Sequence, residues 1–107
     1  MKIAWFDEAE NDLNDIYLFR AQENEKSAVK LYNKILDHAD KLAAMPLMGT
    51  IEPYLNDDVP VYRFLLVDKT YKIIYKADTD NEMIYIFMVW DCRQNPETLK
   101  KKITDRK

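Results

Sequence analysis

The sequence predicts a small α+β domain in which an N-terminal helical hairpin packs on a mainly antiparallel sheet. Three observations carry this reading. Apolar residues recur at three- and four-residue steps through the first half, β-rich runs crowd the second half, and 107 residues allow one core. Residues 1–107 therefore read as a single domain in the order β-α-α-β-β-β.

Lys2 to Phe6 reads as a short strand, with Ile3, Trp5 and Phe6 as β formers. Asp7 then stands where a helix cap belongs, with Glu10 in the capping-box position. Ala9, Leu13, Ile16, Tyr17 and Arg20 follow on one helical face. Asn24 suits the cap of a second helix, whose stripe runs Ala28, Leu31, Tyr32, Ile35, Leu36, Ala39, Leu42, Ala43. Pro46 and the only glycine, Gly49, end that helix, so 7–45 is predicted to be an αα-hairpin. Met45 to Pro60, with three prolines and the acidic run Asn56-Asp57-Asp58, reads as a long irregular loop.

Two strands follow at about 60–67 and 70–77, joined at Asp68-Lys69. A two-residue turn there makes Tyr62 face Tyr75, Phe64 face Ile73 and Leu66 face Tyr71. That register predicts an apolar face for the helices and an opposite face carrying Arg63, Leu65, Lys72, Ile74 and Lys76. A slip of one residue would separate Arg63 from Lys72. The last strand, about 83–91, is apolar on both faces and is expected to be central and covered on both.

Composition narrows the function. Apolar residues at 48% and charged residues at 33% argue for a folded globule over a disordered chain. The run Ile84 to Trp90 is far short of the roughly 20 residues that span a bilayer, so no membrane role is expected. With no apolar leader after Met1-Lys2 and one cysteine, the expected compartment is a reducing cytoplasm. A net charge of −3 disfavours binding nucleic acid through a broad phosphate-contacting surface.

Few residues suggest chemistry. Arg63, Lys72 and Arg93 sit in or just beyond the strands, and together they could form a cleft for phosphate or carboxylate. The ordinary alternative is a set of solvated cations paired with Asp91 or the acidic loop. His38 has no nucleophile or orienting partner and reads as a surface residue. Cys92 beside Arg93 reads as a packed thiol more readily than an activated one. Glu8, Glu10, Asp12 and Asp15 read as a solvated helix face. One His and one Cys cannot supply the usual N/S ligands of a metal site, and no Gly-rich phosphate loop exists.

The ordered set Trp5, Ala9, Asp12-Leu13, Ile16; Leu42, Pro46, Gly49; Arg63-Phe64-Leu65-Leu66-Val67; Tyr71-Lys72-Ile73-Ile74-Tyr75; and Val89-Trp90-Asp91-Cys92-Arg93-Gln94-Asn95-Pro96 resembles the RelE/ParE superfamily. These are small bacterial toxins of type II toxin–antitoxin pairs. The resemblance implies one of two activities, cleavage of mRNA on the ribosome or poisoning of DNA gyrase. Arg63, Lys72 and Arg93 match the basic positions of the nuclease type. However, Leu65 stands where many nucleases keep another cation, and no Tyr or His follows Arg93. The Arg-Gln-Asn-Pro ending is closer to the ParE type.

What the resemblance implies is a ParE-like gyrase inhibitor neutralised by a cognate antitoxin, without a cofactor. The alternatives are a ribosome-dependent mRNA interferase and a non-toxic antitoxin-binding module. The expected binding residues are Arg63, Lys72, Lys76, Trp90, Arg93 and Gln94, with an acidic or mixed-charge antitoxin tail over Arg63 and Arg93.

Overall fold

A computed structural model describes residues 1–55 and 59–106. The elements are β1 (Lys2–Trp5), α1 (Asp7–Ala21), α2 (Glu25–Asp40), β2 (Thr50–Ile51), β3 (Tyr62–Val67), β4 (Tyr71–Asp78), β5 (Met83–Asp91) and α3 (Glu97–Asp105). The α+β hairpin-on-sheet architecture expected from the sequence is present. Among the described residues the strands form one sheet ordered β1-β5-β4-β3-β2. Only the β1–β5 pair is parallel. The acidic run Asn56-Asp57-Asp58 lies outside the described residues.

Local chemistry explains most element ends. The Asn24 side chain accepts the Ser27 amide at 2.9 Å, capping α2 as its sequence suggests. No side chain caps α1, so Asp7 does not form the expected box; Asp7, Glu8 and Glu10 instead place negative charge in the first turn. The second helix stops at Asp40 and passes through a 3₁₀ turn, Lys41–Ala43, short of the expected end near residue 45. Two elements lie outside the order the sequence predicts. β2 is only two residues long, and α3 has two buried positions, Leu99 and Ile103, one turn apart.

The β3–β4 register differs from expectation by one residue. Arg63 pairs with Tyr75, Phe64 with Ile74, Leu65 with Ile73 and Leu66 with Lys72. The connection is three residues long, Asp68 to Thr70, with φ of 52° at Asp68 and 57° at Lys69. The Thr70 hydroxyl donates to the Asp68 carbonyl, and Asp68 also pairs with Lys34. Asp tolerates the left-handed region better than most residues, but Lys gives no such signal. Because side chains alternate along a strand, the extra residue moves one strand's whole set to the other face.

Both sheet faces are therefore covered, each by its own core. Leu65, Val67, Tyr71, Ile73, Tyr75, Ala77, Ile84, Ile86 and Val89 pack with Leu13, Leu31, Ile35 and Leu42 under the hairpin. Tyr62, Ile74, Met88 and Trp90 pack with Leu55, Leu99 and Ile103 under α3. β5 serves both cores through a bulge. Tyr75 pairs with Ile86 but Ile74 pairs with Met88, leaving Phe87 as the extra residue. Before it, Ile84 and Ile86 face the hairpin; beyond it, Met88 and Trp90 face α3.

The only glycine has a packing role rather than a turn role. A Cβ at Gly49 would lie 2.5 Å from the Tyr75 hydroxyl oxygen and 2.8 Å from the Phe64 carbonyl oxygen. The Gly49 amide donates to the Tyr75 oxygen at 2.9 Å, and the Tyr75 hydroxyl donates to the Pro46 carbonyl at 2.9 Å. Burial pushes the Tyr75 pKa above its ordinary 10.0, against the opposing pull of the Gly49 amide and Arg63.

Below pH 10.0 both folded and unfolded chains keep this proton, so the contribution is complete there. Above it the unfolded chain ionises first, and stability declines. The advantage of wild type over Tyr75→Phe is expected to be about 1–3 kcal/mol at pH 8. It should shrink as pH rises through the folded-state pKa. Urea denaturation of both proteins across that range measures it, and a constant difference would contradict the assignment.

Candidate functional site

The structure does not bring Arg63, Lys72 and Arg93 into one hollow. With the observed register, Arg63 shares the hairpin face with Tyr75, whereas Lys72 and Lys76 share the opposite face with Phe64 and Tyr62. Each cation also has a partner. The Arg63 guanidinium donates to the Gly49 carbonyl at 2.9 Å. The Lys72 ammonium contacts Glu52 at 3.0 Å and lies 4.3 Å from the centre of the Phe64 ring. Glu52 is fully buried, so this pair ties the segment after β2 to the second face. Lys76 sits 4.2 Å above the Tyr62 ring.

Arg93 forms a forked contact with Asp91, with Nε at 3.0 Å and a terminal nitrogen at 2.7 Å from the two carboxylate oxygens. That pairing holds the Asp91 carboxyl below its usual range. Cys92 is half-buried, and burial raises its thiol pKa despite nearby Lys72. It is therefore not an activated thiolate. His38 caps nothing catalytic; its Nδ1 lies 2.8 Å from the Lys34 carbonyl on the same helix.

A cleft of about 360 Å³ does form, at the end of β5 between α1 and α3. Its origin is the mismatch in strand lengths. β1 stops at Trp5, opposite Ile86, and β5 continues to Asp91 paired only with β4 on its other side. The edge left beyond the bulge is met by side chains. The Val89 amide donates to Asp12 at 3.0 Å, and Arg106 donates to the Phe87 carbonyl at 3.1 Å. Arg106 also grips Asp12 through two contacts of 2.8 Å and reaches Glu8 at 3.0 Å. The Asp12 carboxylate raises the Arg106 pKa.

Asp12 is thus a half-buried anchor, not part of a solvated face as its helical spacing suggested. Its partners are 77 and 94 residues away in the chain, which local pattern cannot reveal. Of the expected binding residues, the cleft gathers Trp90, Arg93 and Gln94 and excludes Arg63, Lys72 and Lys76. Trp90 is almost wholly buried, and Lys102 lies 5.5 Å from its ring centre. Ile16 and the exposed Phe19 add apolar wall from α1, and Asp15 faces in beside them.

The lining carries three cations, Arg93, Lys102 and Arg106, and three carboxylates, Asp12, Asp15 and Asp91. With three charges of each sign, the lining carries no net charge to draw in a phosphate. Among the described residues no group of three His, Cys, Asp or Glu side chains is placed to hold a metal. No helix of the described residues is long and apolar enough to cross a membrane. Apolar walls with charges of both signs on the rim match the anatomy of a protein-docking cleft.

The described residues thus form a two-helix hairpin on a mixed sheet, with a cleft of mixed charge at the end of β5. The model of the ParE toxin of type II toxin–antitoxin systems, parDE, matches residues 3–96, and the chain belongs to that family. No curated protein matches the sequence as a relative. Among solved structures, the chromosomal ParDE toxin–antitoxin system from P. aeruginosa is similar, with a TM-score of 0.69 and 20% identity. That likeness covers 85% of this chain and 95% of the other, and it speaks for the fold alone.

Proposed function

We propose that this ParE-type toxin acts by docking on a protein target, DNA gyrase, and that a cognate antitoxin neutralises it by occupying the β5 cleft. One observation carries the choice between binding and RNA cleavage. The cations that match the nuclease positions lie on separate faces, and each is engaged by a group of this chain: Gly49, Glu52 and Asp91. A phosphate-stabilising site needs converging donors that are free to meet the developing charge.

An extended or helical antitoxin tail with mixed charge and apolar anchors suits the cleft walls. Its ordering on binding accounts for tight association with a small domain. Arg93 borders that cleft and Arg63 does not, so the tail contact expected from the sequence is narrowed to the Arg93 end.

Supercoiling of relaxed plasmid by purified gyrase tests the target. Stoichiometric toxin is expected to stop supercoiling or accumulate cleaved DNA complexes, and added antitoxin to restore it. Full gyrase activity at large toxin excess would remove gyrase from the proposal. Harmless induction in cells, with a tight antitoxin complex still forming, would instead leave a non-toxic binding module.

A further inference from the structure

The β5 cleft is walled by backbone as well as by side chains. Val89 and Asp91 both line it. The Val89 amide turns away from β4 to donate to Asp12, whereas the Cys92 amide donates to Thr70 on the β4 side at 2.7 Å. Because direction alternates along a strand, Val89 and Asp91 aim N–H and C=O into the cleft, and Trp90 aims its pair at Lys72. Half of these outward groups are taken. Asp12 holds the Val89 N–H, and the Gln94 amide donates to the Asp91 carbonyl at 3.1 Å. The Val89 C=O and the Asp91 N–H have no partner among the described residues.

These two groups set the direction of any strand that pairs with them. An antiparallel partner exchanges both bonds with a single residue of β5. Neither Val89 nor Asp91 keeps both groups, and a carbonyl brought to Val89 would face the Asp12 carboxylate. In a parallel pair, one residue bonds to the carbonyl before its opposite number and to the amide after it. β1 already pairs this way further down the same edge, where the Lys2 and Phe6 amides donate to the Glu82 and Ile86 carbonyls at 3.0 Å. One residue set opposite Trp90 would engage the Val89 carbonyl and the Asp91 amide together.

We propose that this stretch of β5 is a strand-addition edge, on which the antitoxin tail lies extended and parallel to β5, in line with β1. The inference rests on the cleft being the antitoxin site. The walls admit a lone strand, with Ile16 and Phe19 of α1 on one side and Lys102 and Arg106 of α3 on the other. A second copy pairing the same edge about a two-fold axis would run antiparallel, which the occupied groups oppose. Side-chain chemistry follows from the register. A residue beside Trp90 shares its face, where Lys102 lies 5.5 Å from the indole ring, and its two neighbours point toward Ile16 and Phe19. The tail therefore brings an acidic residue between two apolar ones.

Amide exchange of the isotope-labelled full chain, with and without purified cognate antitoxin, tests this. Alone, Asp91 is expected to exchange at least about tenfold faster than Cys92, whose amide is bonded to Thr70. In the complex Asp91 should slow at least about tenfold, and Ile16 and Phe19 resonances should shift. Asp91→Pro gives a second arm, because it deletes an N–H that points away from β4, where proline is tolerated. Asp91→Ala loses the same carboxylate and keeps that N–H. The proline variant should bind antitoxin at least about fivefold more weakly than the alanine variant. Thermal unfolding of both free variants checks that they fold.

Shifts at Ile16 and Phe19 with Asp91 left unprotected would overturn the added strand and leave the cleft reading standing. Tight binding with no change at any of these three residues would overturn the cleft reading itself. Equal affinity of the two Asp91 variants would also remove the strand. A close Hα–Hα contact between Trp90 and the tail, the mark of antiparallel pairing, would overturn its direction.

Discussion

Gly49→Ala is expected to lower the free energy of unfolding by about 2–4 kcal/mol, the largest loss for so small a change in this chain. The new methyl would meet the Tyr75 ring at 2.7 Å, its hydroxyl at 2.5 Å and the Phe64 carbonyl at 2.8 Å. The carbonyl belongs to the β3 backbone and cannot swing aside. Relief requires Tyr75 to leave a fully buried position and give up its bonds to Gly49 and Pro46. Arg63 would follow, since its guanidinium rests on the Gly49 carbonyl.

Tyr75→Phe should recover only part of the loss, because the ring carbon and the carbonyl still obstruct the methyl. Equilibrium urea unfolding of the single and double variants measures this. A loss below about 0.5 kcal/mol, within the range of ordinary surface substitutions, would refute the close-approach account.

Asp12→Ala should be the second severe change, costing about 2–3 kcal/mol. Removing this carboxylate leaves the Val89 amide and the Arg106 guanidinium without their acceptor. The estimate stays below the cost of breaking a fully buried pair, because both side chains keep some solvent contact, at 17% and 18% exposure. Arg106 retains Glu8 and the Phe87 carbonyl.

The effect should also be local. Only Leu99 and Ile103 of α3 are buried, so the helix depends on the Arg106 grip at its end. Amide exchange in α3 is expected to accelerate more than exchange in β4. Asp12→Asn should fall between, since it keeps an acceptor for Val89 and loses the charge. Unchanged α3 protection in Asp12→Ala would show that the helix is held by its apolar contacts alone.

The hairpin was legible because its information is local. The α2 stripe, the Asn24 cap and the separation of the two helices rest on residues three or four apart. The sheet register was not, because it turned on Asp68 and Lys69 adopting left-handed backbone without a glycine to announce it. One residue in that loop moved Arg63 and Lys72 to opposite faces and dissolved the expected cationic face.

The doubly apolar pattern of β5 does announce cover on both sides, but the Phe87 bulge that lets it serve two cores has no local signature. α3 is hidden in the sequence because Lys100-Lys101-Lys102 fills its middle with charge, leaving only Leu99 and Ile103 on either side as apolar signal. The cleft was half legible. Trp90, Arg93 and Gln94 are expected from the chain alone, whereas Asp12 and Arg106 gain their roles only through contacts between distant segments.

Ribosome-dependent transcript cleavage tests the central claim most directly, namely that the cations of this toxin are held apart by its own architecture. Purified protein would be added in excess over ribosomes to a reconstituted translation reaction, and transcript 5′ ends mapped. The account expects full-length transcripts, unaltered by the toxin. Cleavage within translated codons that disappears in Arg93→Ala would contradict it.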